Sequence, residues 1–326
     1  MIPSEELLKL TLLGESEVIN QLQQRIIKTA RFDAPVLIHG ETGTGKELVA
    51  RSLHYCSNRS DNAFVPVNCG ALSDELFLSE IFGHEKGAFT DAKKTKSGLL
   101  EQANEGTLFL DEIDSLSLKS QVALLRFLQE NEYRSVGGEQ NKQANVRVLS
   151  ASNRDIKKLV SEGLFREDLF YRLEVLTIDV PPLRDREDDV VLLTQHFMEQ
   201  VCQQHKLPMK SLSPTTKEWL IHYEWPGNVR ELENWVMRRC FLTEGVFLQI
   251  EEDQSSSGVE DKCTAQIGSF KDEKNRAIEE FESSYVNKIL AQCSGNISRA
   301  AKIANKDRRA FGRLVKKYGV NRELFC

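Results

Sequence analysis

No part of the 326-residue chain approaches the ~18 consecutive apolar residues that a membrane helix needs, which excludes an integral helical membrane protein. The seven cysteines, at 56, 69, 202, 240, 263, 293 and 326, contain no CxxC pair. An odd, unpatterned set suits a reducing cytoplasm better than a disulfide framework. The opening MIPSEELLKL has no basic region followed by an apolar stretch, so a secretory signal is not expected. Internal repeats and long low-complexity tracts are missing too. What is present is the balance of a soluble protein, 40% hydrophobic and 28% charged, which rules out a wholly disordered or collagen-like chain. At roughly 150 residues per domain the length suggests about two folded units.

The net charge of −6 conceals an asymmetry. From Gly295 to Cys326 nine basic residues face only Asp307 and Glu323, a net of +7 that leaves −13 on the rest. A small basic end on an acidic body is a footprint of polyanion binding, and here the basic residues alternate with apolar ones at helical spacing.

Five short apolar runs read as buried strands: 34–40, 63–68, 106–112, 146–153 and 174–180. Helical patterns lie between them, among them QVALLRFLQ with Val122, Leu125 and Leu128 on one face. Strands alternating with helices imply a parallel sheet covered on both sides. After Pro181 and Pro182 the strand signals largely stop, and 186–245 reads as a small all-helical unit. Residues 251–268 are polar, serine-rich and aperiodic, as a linker would be. Helical periodicity resumes near Phe270, with Ile278, Phe281, Tyr285, Ile289 and Leu290 as a candidate stripe.

Residues 40–47 read GETGTGKE, after the strand PVLIH and before the helical ELVARSLH. This is the G-x-x-x-x-G-K phosphate loop in its required context. Glycines at 40, 43 and 45 let the backbone curl so that N–H groups, with Glu41, Thr42 and Thr44 among them, point at phosphate oxygens. Lys46 reaches the terminal phosphates as a point charge. Glu47 stands where the general motif has a magnesium-binding Ser or Thr. In LFLDEI, Asp111 and Glu112 end an apolar strand. An Asp there can hold the Mg2+ that bridges the phosphates of ATP, and the adjacent Glu can deprotonate a water for in-line attack. The pair favours hydrolysis over transfer.

The order GETGTGKE, GHEKGAFTDA, GTLFLDEI, ASNRD, FREDLFYRL, WPGNVREL and a basic helical pair resembles the bacterial enhancer-binding proteins, the AAA+ activators of sigma-54 RNA polymerase. The likeness runs from about Leu13 to Ile250 and again from Phe270 to the end. It implies an α/β fold, an AAA+ P-loop parallel sheet over 1–183 with a helical lid over 184–250. A linker at 251–269 and a small all-α helix-turn-helix domain at 270–326 would follow. In that family a Glu after the P-loop lysine is normal, so Glu47 is no defect. The resemblance assigns Asn68 to a switch that couples Glu112 to the nucleotide state, Asn153 to a γ-phosphate sensor and Arg230 to a second sensor in the lid. It matches Arg166 and Arg172 to a pair of arginine fingers. A guanidinium from the adjacent subunit would neutralise transition-state charge, so hydrolysis would require a homo-oligomer, from dimer to hexameric ring.

The family's sigma-54-contacting loop carries GAFTGA; here Phe89 and Thr90 match and Asp91 replaces the second glycine. Phe89 suits burial against a partner. Residues 295–321 read as a helix-turn-helix, with a first helix near 297–304 packing on Ala300, Ala301 and Ala304 and Asn305 at the turn. Asp307 would cap a second helix with Phe311, Leu314 and Val315 inward. That leaves Arg299, Arg308, Arg309, Arg313, Lys316 and Lys317 for DNA. The stretch resembles the Fis-type helix-turn-helix. The reading is an ATP-driven, DNA-bound activator of sigma-54 RNA polymerase. The alternative, kept open by Asp91, is a DNA-binding regulator independent of sigma-54, acting at sigma-70-type promoters or by repression. A P-loop metabolic kinase fits poorly. The family usually carries a sensory domain before the ATPase; here the ATPase begins almost at residue 1, so either a separate regulatory protein supplies control or the sequence is a truncated one.

Overall fold

The computed structural model describes residues 8, 11–89, 92, 94–186, 188–243, 245, 247–248, 289, 293, 297–304 and 307–317. The chain divides into two compact units, Met1–Glu251 and Glu252–Cys326. No described helix is long and apolar enough to cross a membrane.

All five expected strands form: β1 (Val36–His39), β2 (Phe64–Asn68), β3 (Thr107–Asp111), β6 (Arg147–Ser152) and β7 (Leu176–Asp179). They make one parallel sheet in the order β2-β3-β6-β1-β7. β6 is buried along its whole length, as a central parallel strand must be when helices cover both faces. On one face pack α1 (Glu17–Ala30) and α2 (Lys46–Tyr55), around Ile26, Val49, Leu53 and Ile178. On the other lie α3 (Asp74–Phe82), α4 (Leu118–Glu130), α5 (Ile156–Ser161) and α6 (Glu167–Leu173), around Phe77, Leu124, Phe127 and Leu169.

The α4 face differs from the expected one. Val122 is only half-buried, whereas Gln121, Leu124, Leu125, Phe127 and Leu128 are buried. Hydrophobic spacing alone could not place a glutamine inward; three hydrogen bonds, described below, hold it there. A short hairpin, β4 (Glu132–Tyr133) with β5 (Lys142–Gln143), follows α4 and has no counterpart in the sequence reading.

The lid comprises α7 (Asp189–His205), α8 (Pro214–His222) and α9 (Asn228–Leu242), packed around Trp225, Leu220, Leu232 and Val236. It is not purely helical: β8 (Ser211–Leu212) pairs in parallel with β9 (Phe247–Leu248). Two residues per strand are too few to leave a period-2 signal. The lid is tied to the start of α1 by the buried Asp189 carboxylate. It accepts from Glu15 N at 2.7 Å, Ser16 N at 3.0 Å and Ser16 Oγ at 2.7 Å.

In the second unit α10 (Ile297–Ile303) and α11 (Arg308–Lys317) pack through Ala300, Ala301, Phe311 and Val315, the inward residues expected there, with Ala304 partly buried. Ile289 is buried with them; the rest of the candidate stripe, Asn305, and the side chain of Leu314 lie outside the described residues.

Candidate active site

In a parallel sheet all strands end at one edge, and ligands gather there. That edge presents His39, Asn68, Asp111, Ser152 and Asp179 as last strand residues. The loop Gly40–Gly45 leaves β1 at this edge and enters α2 at Lys46. Gly43 and Gly45 have φ of 81° and 96°, a left-handed backbone that other residues adopt only at a cost. A side chain on Gly43 would also collide with the Gly227 carbonyl of the lid. The loop is therefore closed over by α9.

Lys46 Nζ donates to the carbonyls of Gly40 at 2.8 Å and Glu41 at 3.0 Å. Thr44 Oγ1 donates to Glu41 O at 2.8 Å. Burial lowers the Lys46 pKa, an effect that the carboxylates of Asp111, Asp114 and Glu112 oppose. Asp111 is raised by burial, moderated by the Glu112 N–H at 3.0 Å and by Lys46. A half-buried carboxylate and ammonium thus face each other where the terminal phosphates of a nucleotide would lie.

Glu112 adopts φ 53° and ψ 45°, a left-handed conformation uncommon for a non-glycine residue and frequent at functional sites. Its carboxylate lies against Gly70, where any Cβ would collide with Oε2. Asn68 borders the same glycine, and its Oδ1 accepts from Ala71 N at 3.0 Å. Glu47 does not turn to the phosphate site but pairs with Arg51 at 2.7 Å. Asn153 Nδ2 donates to Thr42 Oγ1 at 3.0 Å, which brings that expected sensor onto the phosphate loop. Ser152 Oγ lies 2.8 Å from Asp114 Oδ1 and 2.8 Å from Arg154 O.

The lid supplies more than the expected Arg230, whose backbone N–H donates to Gly43 O at 3.4 Å and whose charge acts on Lys46 and Asp111. Asn228, fully buried with φ 53°, accepts from Leu183 N at 2.8 Å. It donates to Glu41 Oε2 and Thr42 O, both at 3.1 Å. Arg184 pairs with Glu41 at 2.6 Å. This ion pair first, then Asn228, holds the Glu41 carboxyl down to about 2. Arg186 donates to Thr44 O at 3.0 Å and to Pro181 O at 2.8 Å, and burial lowers it to about 10. Sequence reasoning missed Asn228, Arg184, Arg186 and Gly70. The run WPGN and the pair of arginines in PLRDRED were the available signals, but their partners lie some 40 to 190 positions away.

Arg166 and Arg172 do not join this cluster. Arg166 is exposed and pairs with Asp168 at 2.6 Å, while Arg172 donates two hydrogen bonds, at 2.8 and 3.0 Å, to Leu128 O at the end of α4. Arg172 lines a cavity with Ala34, Pro35 and Val146, which precede β1 and β6, so it sits at the sheet edge opposite the phosphate loop.

The loop after α3 is closed by Gly87 N to Ala92 O at 2.8 Å and Ala92 N to Phe89 O at 3.0 Å. Phe89 is exposed at its tip, with its ring edge against His84 at 4.9 Å. Thr90 and Asp91 lie outside the described residues. Of the proposed DNA-facing residues Arg299, Arg308 and Lys317 are exposed; the side chains of Arg309, Arg313 and Lys316 lie outside the described residues.

The profile described as the Sigma-54 interaction domain matches residues 12–179, and that described as the AAA+ ATPase lid domain matches 184–257. The chain is 40% identical over 319 residues to the regulatory protein AtoC of Escherichia coli K12, covering 95% of this chain and 68% of AtoC. It is 46% identical over 251 residues to the transcriptional regulatory protein ZraR of Salmonella typhimurium, covering 77% and 57%. NtrX from Brucella abortus in complex with ATP superposes with a TM-score of 0.69 at 34% identity, covering 95% of this chain and 69% of that one. The chain thus spans roughly three-fifths to two-thirds of the length of these curated relatives.

Proposed function

The chain belongs to the AAA+ family whose core is the sigma-54 interaction domain, and from that premise we propose that it hydrolyses ATP to activate transcription by sigma-54 RNA polymerase from a DNA-bound position. One observation carries the chemical part. A phosphate loop, a strand-end carboxylate pair and a lid arginine gather at one edge of the sheet, and Asn228 hydrogen-bonds from the lid to the loop.

Hydrolysis at such a site proceeds by displacement. Glu112, its carboxylate accommodated beside Gly70, accepts a proton from water as the water oxygen attacks the γ-phosphorus. The bond from that phosphorus to the bridging oxygen breaks, and ADP leaves. Lys46 exchanges its two carbonyl partners for phosphate oxygens. Asn153 on Thr42, and Arg230 from the lid, sense whether the terminal phosphate is present. Mg2+ supplies charge neutralisation across the phosphates. No cluster of three or more His, Cys, Asp or Glu among the described residues could cage a metal; Asp111, at the strand end beside Lys46, is the residue that would hold the ion.

Neither Arg166, exposed and paired with Asp168, nor Arg172, bonded to Leu128 O at the opposite sheet edge, bonds to its own phosphate loop, which supports the service of Arg166 foremost to a neighbouring copy in a ring. Nucleotide states would favour different positions of the loop bearing Phe89, Thr90 and Asp91, which engages sigma-54. The basic helix-turn-helix, with Arg299, Arg308, Arg309, Arg313, Lys316 and Lys317, holds upstream DNA. Trapping with ADP and aluminium fluoride should make purified sigma-54 co-migrate with the protein. Normal ATP turnover without such a complex would overturn the sigma-54 assignment in favour of a regulator independent of it.

A further inference from the structure

We propose that Gln121 is a positioning residue that ties the acidic half of one nucleotide site to the arginine offered to the next copy, an inference that rests on the reading of Arg166 as acting between subunits. Gln121 is fully buried in the first turn of α4. A buried primary amide must satisfy one acceptor oxygen and two N–H donors. Here Nε2 donates to Leu116 O at 2.8 Å and Leu164 O at 3.1 Å, and Oε1 accepts from Arg166 N at 2.8 Å. Two carbonyls and one N–H leave no freedom to flip the amide, so one side chain clamps three backbone segments.

What it clamps gives it meaning. Leu116 ends the tight turn that begins at the catalytic pair: Ser115 N bonds Glu112 O at 2.9 Å and Leu116 N bonds Ile113 O at 3.3 Å. Ser152 joins the same turn through Asp114, one residue before Asn153. On the other side, Leu164 and Arg166 belong to the connection from α5 to α6, where Gly163 turns the chain at φ 72° and Phe165 is buried. The Arg166 guanidinium emerges into solvent from that connection.

A displacement of the turn at Glu112–Leu116 therefore moves the anchor of Arg166. Leaving a buried donor or acceptor unpaired costs its full desolvation, so the clamp shifts as a unit rather than letting go. The nucleotide state of one subunit would thereby set where its arginine stands in its neighbour's site.

Gln121→Met keeps the unbranched reach of the side chain and removes all three bonds; Gln121→Leu removes them with a shorter, branched chain should the methionine variant fail to fold. Each is assayed for melting, for binding of a fluorescent ATP analogue and for ATP turnover. Turnover is read alone and after mixing with Glu112→Gln, which cannot activate water but carries an intact Gln121 and Arg166. The expected result is retained nucleotide binding and KM with kcat down by on the order of ten- to a hundredfold. Adding the inactive Glu112→Gln protein should then raise turnover above that of either alone, because it donates a correctly held arginine. Wild-type kcat, or a loss that Glu112→Gln does not rescue, would overturn the inference. Arg166→Ala mixed with Glu112→Gln is the control: if it is not rescued either, the intersubunit arginine itself is refuted, whereas its rescue beside an unrescued Gln121 variant refutes only the role of Gln121.

Discussion

Replacing Asn228 with alanine should uncouple the lid from the phosphate loop at a calculable cost. The buried Leu183 N–H loses its acceptor, worth about 1–3 kcal/mol. The Glu41 carboxylate loses a donor, a charge-assisted bond worth roughly 1.5 kcal/mol at the low end suited to a partly exposed site. Alanine must also adopt the left-handed φ of 53°, adding about 1 kcal/mol relative to asparagine. Together these come to about 4 kcal/mol. For a unit of this size that lowers the melting temperature by about 10 °C, at roughly 2–4 °C per kcal/mol. Differential scanning calorimetry with and without ATP analogue reads both effects: a lower melting point, and a smaller upward shift on nucleotide addition because Thr42 is no longer held. Asn228→Gly separates the causes, since it loses the same bonds but tolerates the backbone and should recover about 1 kcal/mol. An alanine variant melting within a degree of wild type, with unchanged nucleotide response, would refute the assignment of Asn228 as the joint.

Gly70→Ala should leave the melting temperature nearly unchanged, because the carboxylate end of Glu112 can give way, yet lower kcat by on the order of a hundredfold through a misplaced base; steady-state kinetics at saturating ATP check this. Asp111→Asn should raise the melting temperature of nucleotide-free protein at pH 7 while abolishing magnesium-dependent turnover. Burial raises the Asp111 pKa, so its contribution is favourable below the ordinary carboxylate range and lost as pH rises through the raised value; the gap between variant and wild type should close on acidification. Glu41 has the opposite sign. Held at about 2 against an ordinary 4.5, it contributes stability above pH 4.5 that is lost as pH falls toward 2, and Glu41→Gln should flatten the melting profile across that window. Replacing Arg308 and Arg309 with alanine should weaken DNA binding and reduce its salt slope by roughly one for each phosphate no longer neutralised, as measured by titration at several salt concentrations.

Much of the architecture is written locally. Each of the five central strands is a short apolar run closed by turn residues, and the phosphate loop is a contiguous motif whose strand and helix flanks can be checked by eye. Asp111 and Glu112 follow from their place at a strand end. Arg166 and Arg172 stand differently: only the family likeness singled them out, and in the folded unit one pairs with a nearby aspartate while the other caps α4. The hairpin after α4 and the two-residue pair in the lid left no period to detect, and Val122 was placed inward because periodicity counts only apolar residues.

The linear order of residues by itself determined the family, the five strands and the phosphate-loop motif, because each is read from neighbours a few positions apart. Only the tertiary structure decided that Asn228 and Arg184 grip Glu41 across 187 and 143 positions, that Gly70 makes room for Glu112, and that Gln121 belongs inside. Those are hydrogen bonds and close approaches between segments distant in the chain. Their energy depends on geometry to a fraction of an ångström, and no local spacing encodes it.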